Sequence, residues 1–372
     1  MIKQKYSIYV HIPFCKARCG YCAFSSCTDF GLVERYFERL FEEIEYYGDK
    51  KPEIYTVYIG GGTPSSVDKN LLNDLFDKLR VNFDLSKVVE VTVECNPESA
   101  TEELLRCLKA NGVNRLSFGL QSVNDATLKR IGRLHDFKQF EKALKLARQL
   151  GFENINADLI VGLPETKEEF YRSVEVVGGF NLQHVSIYAL ELHEGTPLYN
   201  LCKAEYHFDD DEMADMYDKA CEILFKCGLE RYEISNFARK GQESKHNLNY
   251  WQEGRYFAFG ASASGFVGDV RYTNPYEIKQ YLSTPVKLLH NDCEKLTGGE
   301  QANEFVMLGL RLMDGVSLEE FEARYSVDFF VFFPNARKLV ELGLLRIDSG
   351  RVTVPPDKLY VVNSILVELL II

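Results

Sequence analysis

The sequence predicts an α/β fold built on a parallel sheet, followed by a smaller, mainly helical, winged-helix-like unit at the C-terminus. Three observations predict it. Six short β-branched or aromatic runs alternate with amphipathic helical patterns through the first half of the chain. Chemically unusual residues recur at the carboxyl ends of those runs, where parallel α/β sheets place their chemistry. Beyond about residue 200 the alternation stops and a different pattern takes over.

The strand-like runs are Ser7–Ile12, Ile54–Ile59, Val89–Glu94, Arg115–Leu120, Asn156–Val161 and His184–Leu190. Between them, Leu32–Tyr47 repeats Val33, Tyr36, Phe37, Leu40, Phe41 and Ile44 at helical spacing. Asn70–Arg80, Thr101–Ala110, Phe137–Leu150 and Lys167–Val177 carry the same period, with Thr101 a capped start and Asn111-Gly112 a stop. Asp209–Cys227 reads as a further helix and Arg231–Phe237 as a strand, while 238–290 is rich in Gly, Tyr, Asn and Ser and reads as loops. The tail predicts helices over Glu300–Leu312, Leu318–Tyr325, Asp328–Leu342 and Asp357–Leu370, with a hairpin of Leu344–Ile347 and Arg351–Val354 turning at Asp348-Ser349-Gly350. The expected division is a core barrel over 1–236, a loop-rich connecting segment over 237–296, and a C-terminal helical domain over 297–372.

The chain has 372 residues, 46% hydrophobic and 26% charged, which suits a globular protein with a sizeable core. Its 43 Lys and Arg against 55 Asp and Glu leave a net charge of −12, a poor match for a phosphate backbone. Residues 297–372 alone hold 7 basic and 11 acidic side chains, so the winged-helix likeness does not point to nucleic acid. No apolar run approaches the ~20 residues of a membrane span, and Met1–Lys5 lacks the apolar region of a signal peptide. A cytoplasmic protein is expected.

Ten cysteines are present, and Cys15, Cys19, Cys22 and Cys27 fall close together. In a reducing compartment such a group reads as metal-binding or catalytic, and the six scattered cysteines as mostly buried thiols. The spacing Cys-x3-Cys-x2-Cys of Cys15, Cys19 and Cys22 suits thiolate ligands. Structural zinc wants four ligands, which His11 or Cys27 would have to complete; an iron–sulfur cube on three cysteines leaves one iron open to chelate an amino acid. Spacing alone leaves a cluster, zinc and inert or redox thiols open. The Gly60–Gly62 run is not a phosphate loop, since no Gly-Lys-Ser/Thr follows.

The run Tyr9-Val10-His11-Ile12-Pro13-Phe14-Cys15, with Cys19, Tyr21 and Cys22, resembles the radical S-adenosylmethionine (SAM) superfamily and, within it, the HemN-like coproporphyrinogen dehydrogenase group. The likeness continues through Gly60–Ser65, Glu94–Pro97, Phe118–Ser122 and Asp158–Pro164 and covers nearly the whole chain. It implies a partial (βα)6 radical SAM barrel, a [4Fe–4S] cluster on Cys15, Cys19 and Cys22, and SAM. It further implies that Tyr9 lies beside SAM, that Tyr21 packs near the cluster, and that Gly61, Gly62 and Thr63 hold the methionine amino group. Glu94, Gln121, Arg133, Asp158 and Ala189 match the remaining SAM-contacting positions.

Two branches of the group differ here. Its dehydrogenases carry a fourth cysteine two residues after the third and a longer segment before the cluster; this chain has Phe24 there and its first cysteine of the motif at residue 15. Cys22-Ala23-Phe24 and His246-Asn247-Leu248-Asn249-Tyr250-Trp251 instead resemble the haem chaperone branch, in which that histidine is linked to haem. Tyr250, Trp251 and Tyr256 would then form an aromatic wall. Cys27 reads as a bystander, and His135, His184, His193, His207 and His290 as structural. The expected function is a haem chaperone that delivers haem to apo-haemoproteins, with membrane respiratory enzymes as natural recipients and the cluster and SAM supporting transfer or a homodimeric state. The alternative is an oxygen-independent coproporphyrinogen III oxidase acting in porphyrin biosynthesis.

Overall fold

A computed structural model describes residues 6–48, 50–205 and 208–370. Met1–Lys5, His207 and the last two residues of the apolar tail lie outside the described residues. The first half runs β1 (Tyr6–Ile12), α1 (Val33–Tyr47), β2 (Ile54–Gly61), α2 (Lys69–Asn82), β3 (Glu90–Cys95), α3 (Glu102–Ala110), β4 (Arg115–Gln121), α4 (Asp125–Arg130), α5 (Phe137–Gln149), β5 (Asn154–Val161), α6 (Lys167–Gly179) and β6 (His184–Ala189). Strands β1 to β6 pair in that order, all parallel. This is the partial six-stranded parallel barrel that the resemblance implies.

The helices form where the sequence places them and for local reasons. Helix α1 buries Val33, Tyr36, Phe37, Leu40 and Ile44 on one stripe, each worth roughly 1.5–3 kcal/mol against exposure. Thr101 accepts from the Leu104 backbone N–H at the start of α3, and Asp136 and Thr166 close capping boxes on α5 and α6. Gly112, with φ of +86°, ends α3 in a conformation that suits glycine.

The second half is α7 (Pro197–Glu205), α8 (Asp210–Lys226), β7 (Glu230–Arg231), β8 (Asn236–Ala238), α9 (Lys245–Trp251), β9 (Arg255–Phe259), β10 (Ser264–Val267), β11 (Val270–Thr273), α10 (Ile278–Ser283) and β12 (Cys293–Lys295). It differs from the sequence reading in two places. The strand expected over Arg231–Phe237 is a tight hairpin, β7 against β8, because Glu233 accepts from Ser235 N–H at 3.0 Å and Arg231 donates to the carbonyls of Glu233 and Ile234. The stretch read as loops carries three strands that extend the main sheet, β9 paired parallel with β1 and β10 and β11 following antiparallel, and β12 lies just beyond it, antiparallel to β11. These strands are only three to five residues long, and Gly and Ser at their turns mask the alternation.

The tail holds α11 (Gly298–Gly309), β13 (Val316–Ser317), α12 (Leu318–Tyr325), α13 (Phe329–Phe332), α14 (Ala336–Glu341), β14 (Arg346–Asp348), β15 (Arg351–Thr353) and α15 (Val362–Leu369). The helix expected over Asp328–Leu342 is broken into α13 and α14, since Pro334 supplies no N–H and pushes Phe333 out of the helical region. The strands form a small sheet in the order β13-β15-β14, and with the helices they make the winged-helix-like unit. Its apolar residues, from Ala302 to Leu369, form a core separate from the one that spans Ile8 to Leu289. Of the six scattered cysteines only Cys95 and Cys202 are buried; Cys293 is exposed on its edge strand. No helix among the described residues is long and apolar enough to cross a membrane.

One buried carboxylate ties the late strands to the barrel. Glu43 on α1 is fully buried and accepts from Gly260 N–H at 2.9 Å, Asn274 at 2.6 Å, Tyr281 at 2.7 Å and His290 at 2.9 Å. The His290 ring is stacked between Tyr47 and Tyr272, with centroids 3.6 and 3.7 Å away. Removing the acceptor strands several buried donors, each costing about 1–3 kcal/mol. Glu43→Ala is expected to lower unfolding stability by about 3 kcal/mol or more, and Glu43→Gln by less, measured as the shift in urea midpoint at constant slope.

Candidate functional site

The carboxyl ends of the parallel strands meet the segment that follows β1. This segment has little regular structure and is held by backbone contacts. Cys15 N–H donates to the Cys27 carbonyl at 2.9 Å and Cys27 N–H to the Pro13 carbonyl at 2.7 Å, so Cys27 pins the base of the loop. Its far side is fixed by Gly20 N–H to the Ile131 carbonyl and by Leu198 N–H to the Gly20 carbonyl, both 2.9 Å. Thr63 donates to Cys15 Sγ at 3.4 Å and Arg133 Nη1 to Cys19 Sγ at 3.5 Å. Burial pushes the Cys15 and Cys22 thiols up; the Thr63 hydrogen bond draws Cys15 part of the way back. Among the described residues, no three His, Cys, Asp or Glu side chains stand close enough together to form a finished ion site.

The glycine run after β2 is a cradle that side chains would fill. A Cβ on Gly62 would lie 2.7 Å from the Pro13 carbonyl and 2.9 Å from Cys15 Sγ; one on Gly60 would lie 2.9 Å from the Glu94 carboxylate. Gly61, at φ of +118°, donates its N–H to Glu94 Oε2 at 3.0 Å, and Tyr58 donates to Oε1 at 2.8 Å. Burial, with Asp158 nearby, pushes Glu94 up to about 7. Asp158 accepts from Asn156 at 2.7 Å and is raised by burial as well.

Arg133 donates through Nη2 to Asn96 Oδ1 at 2.7 Å and to the Gly119 carbonyl at 2.6 Å, while its buried Nε–H has no partner. Gly119 leaves a gap that Gln121, Arg133 and Asn96 all border. Gln121 sits at φ of +76°, an uncommon conformation for a side chain of its kind. Tyr21 packs beside Leu198 and Ile131, and Ala189 is exposed at the end of β6. The structure therefore brings Cys15, Cys19, Tyr21, Gly61, Gly62, Thr63, Glu94, Gln121 and Arg133 to one rim, with Asp158 and Ala189 at the adjoining strand ends. Asn96 and Tyr58 belong to the same hydrogen-bonded set. Sequence reading passed over them: Asn96 lay inside a quoted motif without a role, and Tyr58 looked like an ordinary strand aromatic.

A cavity of about 540 Å³ opens beside the loop, lined in part by Tyr9, His11, Phe24, Tyr250 and Tyr256. Tyr9 donates to His11 Nδ1 at 2.9 Å, because His11 Nε2–H is given to the Ser25 carbonyl at 3.2 Å. Phe24, where the dehydrogenases carry a cysteine, is 72% exposed at the cavity mouth.

His246 is placed differently from the expectation. It is buried, it does not line the cavity, and both ring nitrogens are engaged. Thr56 donates to Ser7 at 2.7 Å, so its oxygen accepts from His246 Nδ1–H at 2.8 Å, and His246 Nε2 accepts from the Tyr250 hydroxyl at 2.8 Å. Burial, helped by Arg115, lowers the imidazole to about 3 and keeps it neutral. Trp251 also departs from the expected wall. One residue turns about 100° on a helix, so Trp251 faces a second cavity of about 290 Å³ beside Phe305 and Leu312.

Comparison with known proteins agrees with this geometry. The profile of the radical SAM superfamily matches residues 9–177, and that of the HemN C-terminal domain matches 296–357. The heme chaperone HemW of Bacillus subtilis is 38% identical over 91% of this chain and 92% of its own length. HemW of Escherichia coli is 34% identical over 91% of each. The bovine mitochondrial radical S-adenosyl methionine domain-containing protein 1 is 31% identical over 99% of this chain and 88% of its own. The structure of the coproporphyrinogen III oxidase HemN from Escherichia coli, 24% identical, superposes with a TM-score of 0.85 over 98% of this chain and 90% of that one, a likeness of fold. With identity of this order along nearly its whole length, the chain belongs to the heme chaperone HemW family of the radical SAM superfamily.

Proposed function

We propose that this protein binds haem as cargo beside a [4Fe–4S] cluster and SAM, and delivers it to apo-haemoproteins in the cytoplasm or at the membrane surface. The observation that carries the reading is the full-length match to proteins named heme chaperones. The cavity supports it: at about 540 Å³, with aromatic walls, it suits a flat macrocycle. Phe24 in the dehydrogenase cysteine position speaks against the oxidase alternative. The division into 1–236, 237–296 and 297–372 is kept as a functional one, with cluster and SAM in the first part, a cavity wall in the second and a covering unit in the third.

Three thiols on one loop, with Arg133 beside Cys19, make a donor set that fits an iron–sulfur cluster. When bound, that cluster would supply one-electron chemistry to the sulfonium of SAM. Cys15, Cys19 and Cys22 would hold it; the Gly61–Thr63 backbone would receive the methionine amino group; Arg133, with its spare Nε–H, would receive the carboxylate. Glu94 and Asp158 would accept from the ribose hydroxyls, with Tyr9, Gln121 and Ala189 flanking the nucleoside and Tyr21 packed beside the cluster. His246 serves the haem site from behind, by fixing the hydroxyl of Tyr250 in the cavity wall.

Anaerobic reconstitution is expected to give four irons per chain in the wild type and in Cys27→Ala, and to lose the cluster absorbance in Cys15→Ala, Cys19→Ala or Cys22→Ala. Glu94 ionises in the folded protein only near pH 7, and a hydroxyl donor favours the ionised form. SAM affinity of the reconstituted protein is therefore expected to rise from pH 6 to pH 8 and level off above, and Glu94→Gln to flatten that rise in isothermal titration. The deciding experiment mixes haem-loaded protein with an apo-haemoprotein and follows recovery of its Soret band, with coproporphyrinogen III and a strong reductant in a parallel reaction. Haem transfer without porphyrin product supports the proposal; protoporphyrinogen formation above a cluster-free control overturns it in favour of the oxidase.

A further inference from the structure

Among the described residues lining the 540 Å³ cavity, Arg271 is the one Lys or Arg. It projects from β11, opposite Phe266 on β10 in the antiparallel register. Its guanidinium stands over the Phe266 ring at 4.8 Å, and Arg255 covers the same ring at 3.8 Å. Two stacked cations hold that aromatic plate rigidly and orient the Arg271 fork. The fork is only partly used: Nη2 donates to Glu304 Oε2 at 2.7 Å, and the side chain stays about a third exposed where it lines the cavity. A carboxylate arriving from the cavity would meet the edge of this guanidinium that faces it, beside the Glu304 contact, and gain a charge-assisted hydrogen bond.

The cavity holds one other formal charge, Glu253: its Oε2 faces Arg324 at 3.4 Å and the Tyr325 hydroxyl at 3.1 Å, and its Oε1 lies 3.7 Å from Arg255 without a hydrogen bond. The rest of the lining is aromatic, small, hydroxylic or neutral imidazole, since burial lowers His11 to about 4. A ligand that fills this space is thus a flat apolar body with an acidic group at the β11 end. Haem has that shape, its two propionates standing on one edge of the macrocycle.

We propose that Arg271 is the carboxylate anchor of the cavity, taking a propionate of the cargo on the edge of its guanidinium that faces the cavity and so setting which edge of the macrocycle enters first. The anchor sits on a strand of the main sheet, and Glu304, its partner, belongs to α11 of the C-terminal unit. Cargo carboxylate and Glu304 therefore share one guanidinium, which couples filling of the cavity to the contact between the two units.

The inference rests on the haem reading, and the test separates the two. The full-length protein is titrated with ferric protoporphyrin IX and with its dimethyl ester, which keeps the iron and ring but has no carboxylates. The wild type is expected to prefer the acid by at least tenfold (about 1.4 kcal/mol). Arg271→Ala is expected to abolish that preference and leave ester affinity within twofold. Arg271→Gln, which keeps most of the side-chain length, should give the same result and covers the case in which the alanine variant unfolds. A preference that persists in both variants, or an equal loss for acid and ester, overturns the assignment while leaving haem binding in place. A wild type that binds neither compound overturns the haem reading and the anchor with it.

Discussion

Burying polar side chains inside a sheet-lined lumen forces each of them to find a partner, and the arrangement of this protein follows from that requirement. Ser7, Thr56, Asn156, His184, Ser186 and His246 are all buried on the inner faces of the strands or against them. Water cannot serve them there, so they serve one another: Asn156 reaches Ser117 and Asp158, His184 bridges Asn156 and Tyr232, and Thr56 bridges Ser7 and His246. Each bond fixes a tautomer or a rotamer. The result is that Asp158 and Tyr250 reach the rim already oriented by the side chains behind them.

The rim obeys a different rule. Its loop has almost no regular structure and no apolar core of its own, so closeness takes the place of packing. The Gly60–Gly62 backbone lies against Pro13, His11 and the Glu94 carboxylate with no room for a methyl group. Glycine there removes the obstacle that would hold the loop away from the strand ends. Cys27 acts in the same spirit. Its backbone, not its thiol, pairs with Pro13 and Cys15, which is why a cysteine outside the motif stands so near it.

The parallel barrel was legible because its strands alternate with helices whose apolar stripes repeat at a clear period, as in Val33 to Ile44. The rim was legible through motif order: residues far apart in the chain, such as Thr63 and Gln121, each stand at the end of a strand. The late strands were not legible. Ser264–Val267 and Val270–Thr273 are four residues each, too short to show a period of two, and they are strands because β9, seated on β1, offers them an edge. The burial of His246 was not legible for a related reason. Its sequence neighbours announce chemistry, but its position on the first turn of α9 turns it towards Thr56, and a motif does not record which way a short helix faces. Arg271 carried no signal, since a lone arginine in a polar stretch looks like any surface cation.

Strand β1 has two neighbours, and they lie on opposite sides of it in time as well as in space. Residues 54–61 arrive within about fifty residues; residues 255–259 arrive some two hundred later. Until then the first strand is an open edge, and the loop after Cys22 lacks Tyr276, whose backbone and hydroxyl meet Ser25 and Ala23. Closing so long a separation is a slow event in folding. During synthesis the cysteine loop emerges some two hundred residues before the strand and the tyrosine that complete it, so for much of its time on the ribosome its three motif thiols stand on an unfinished support.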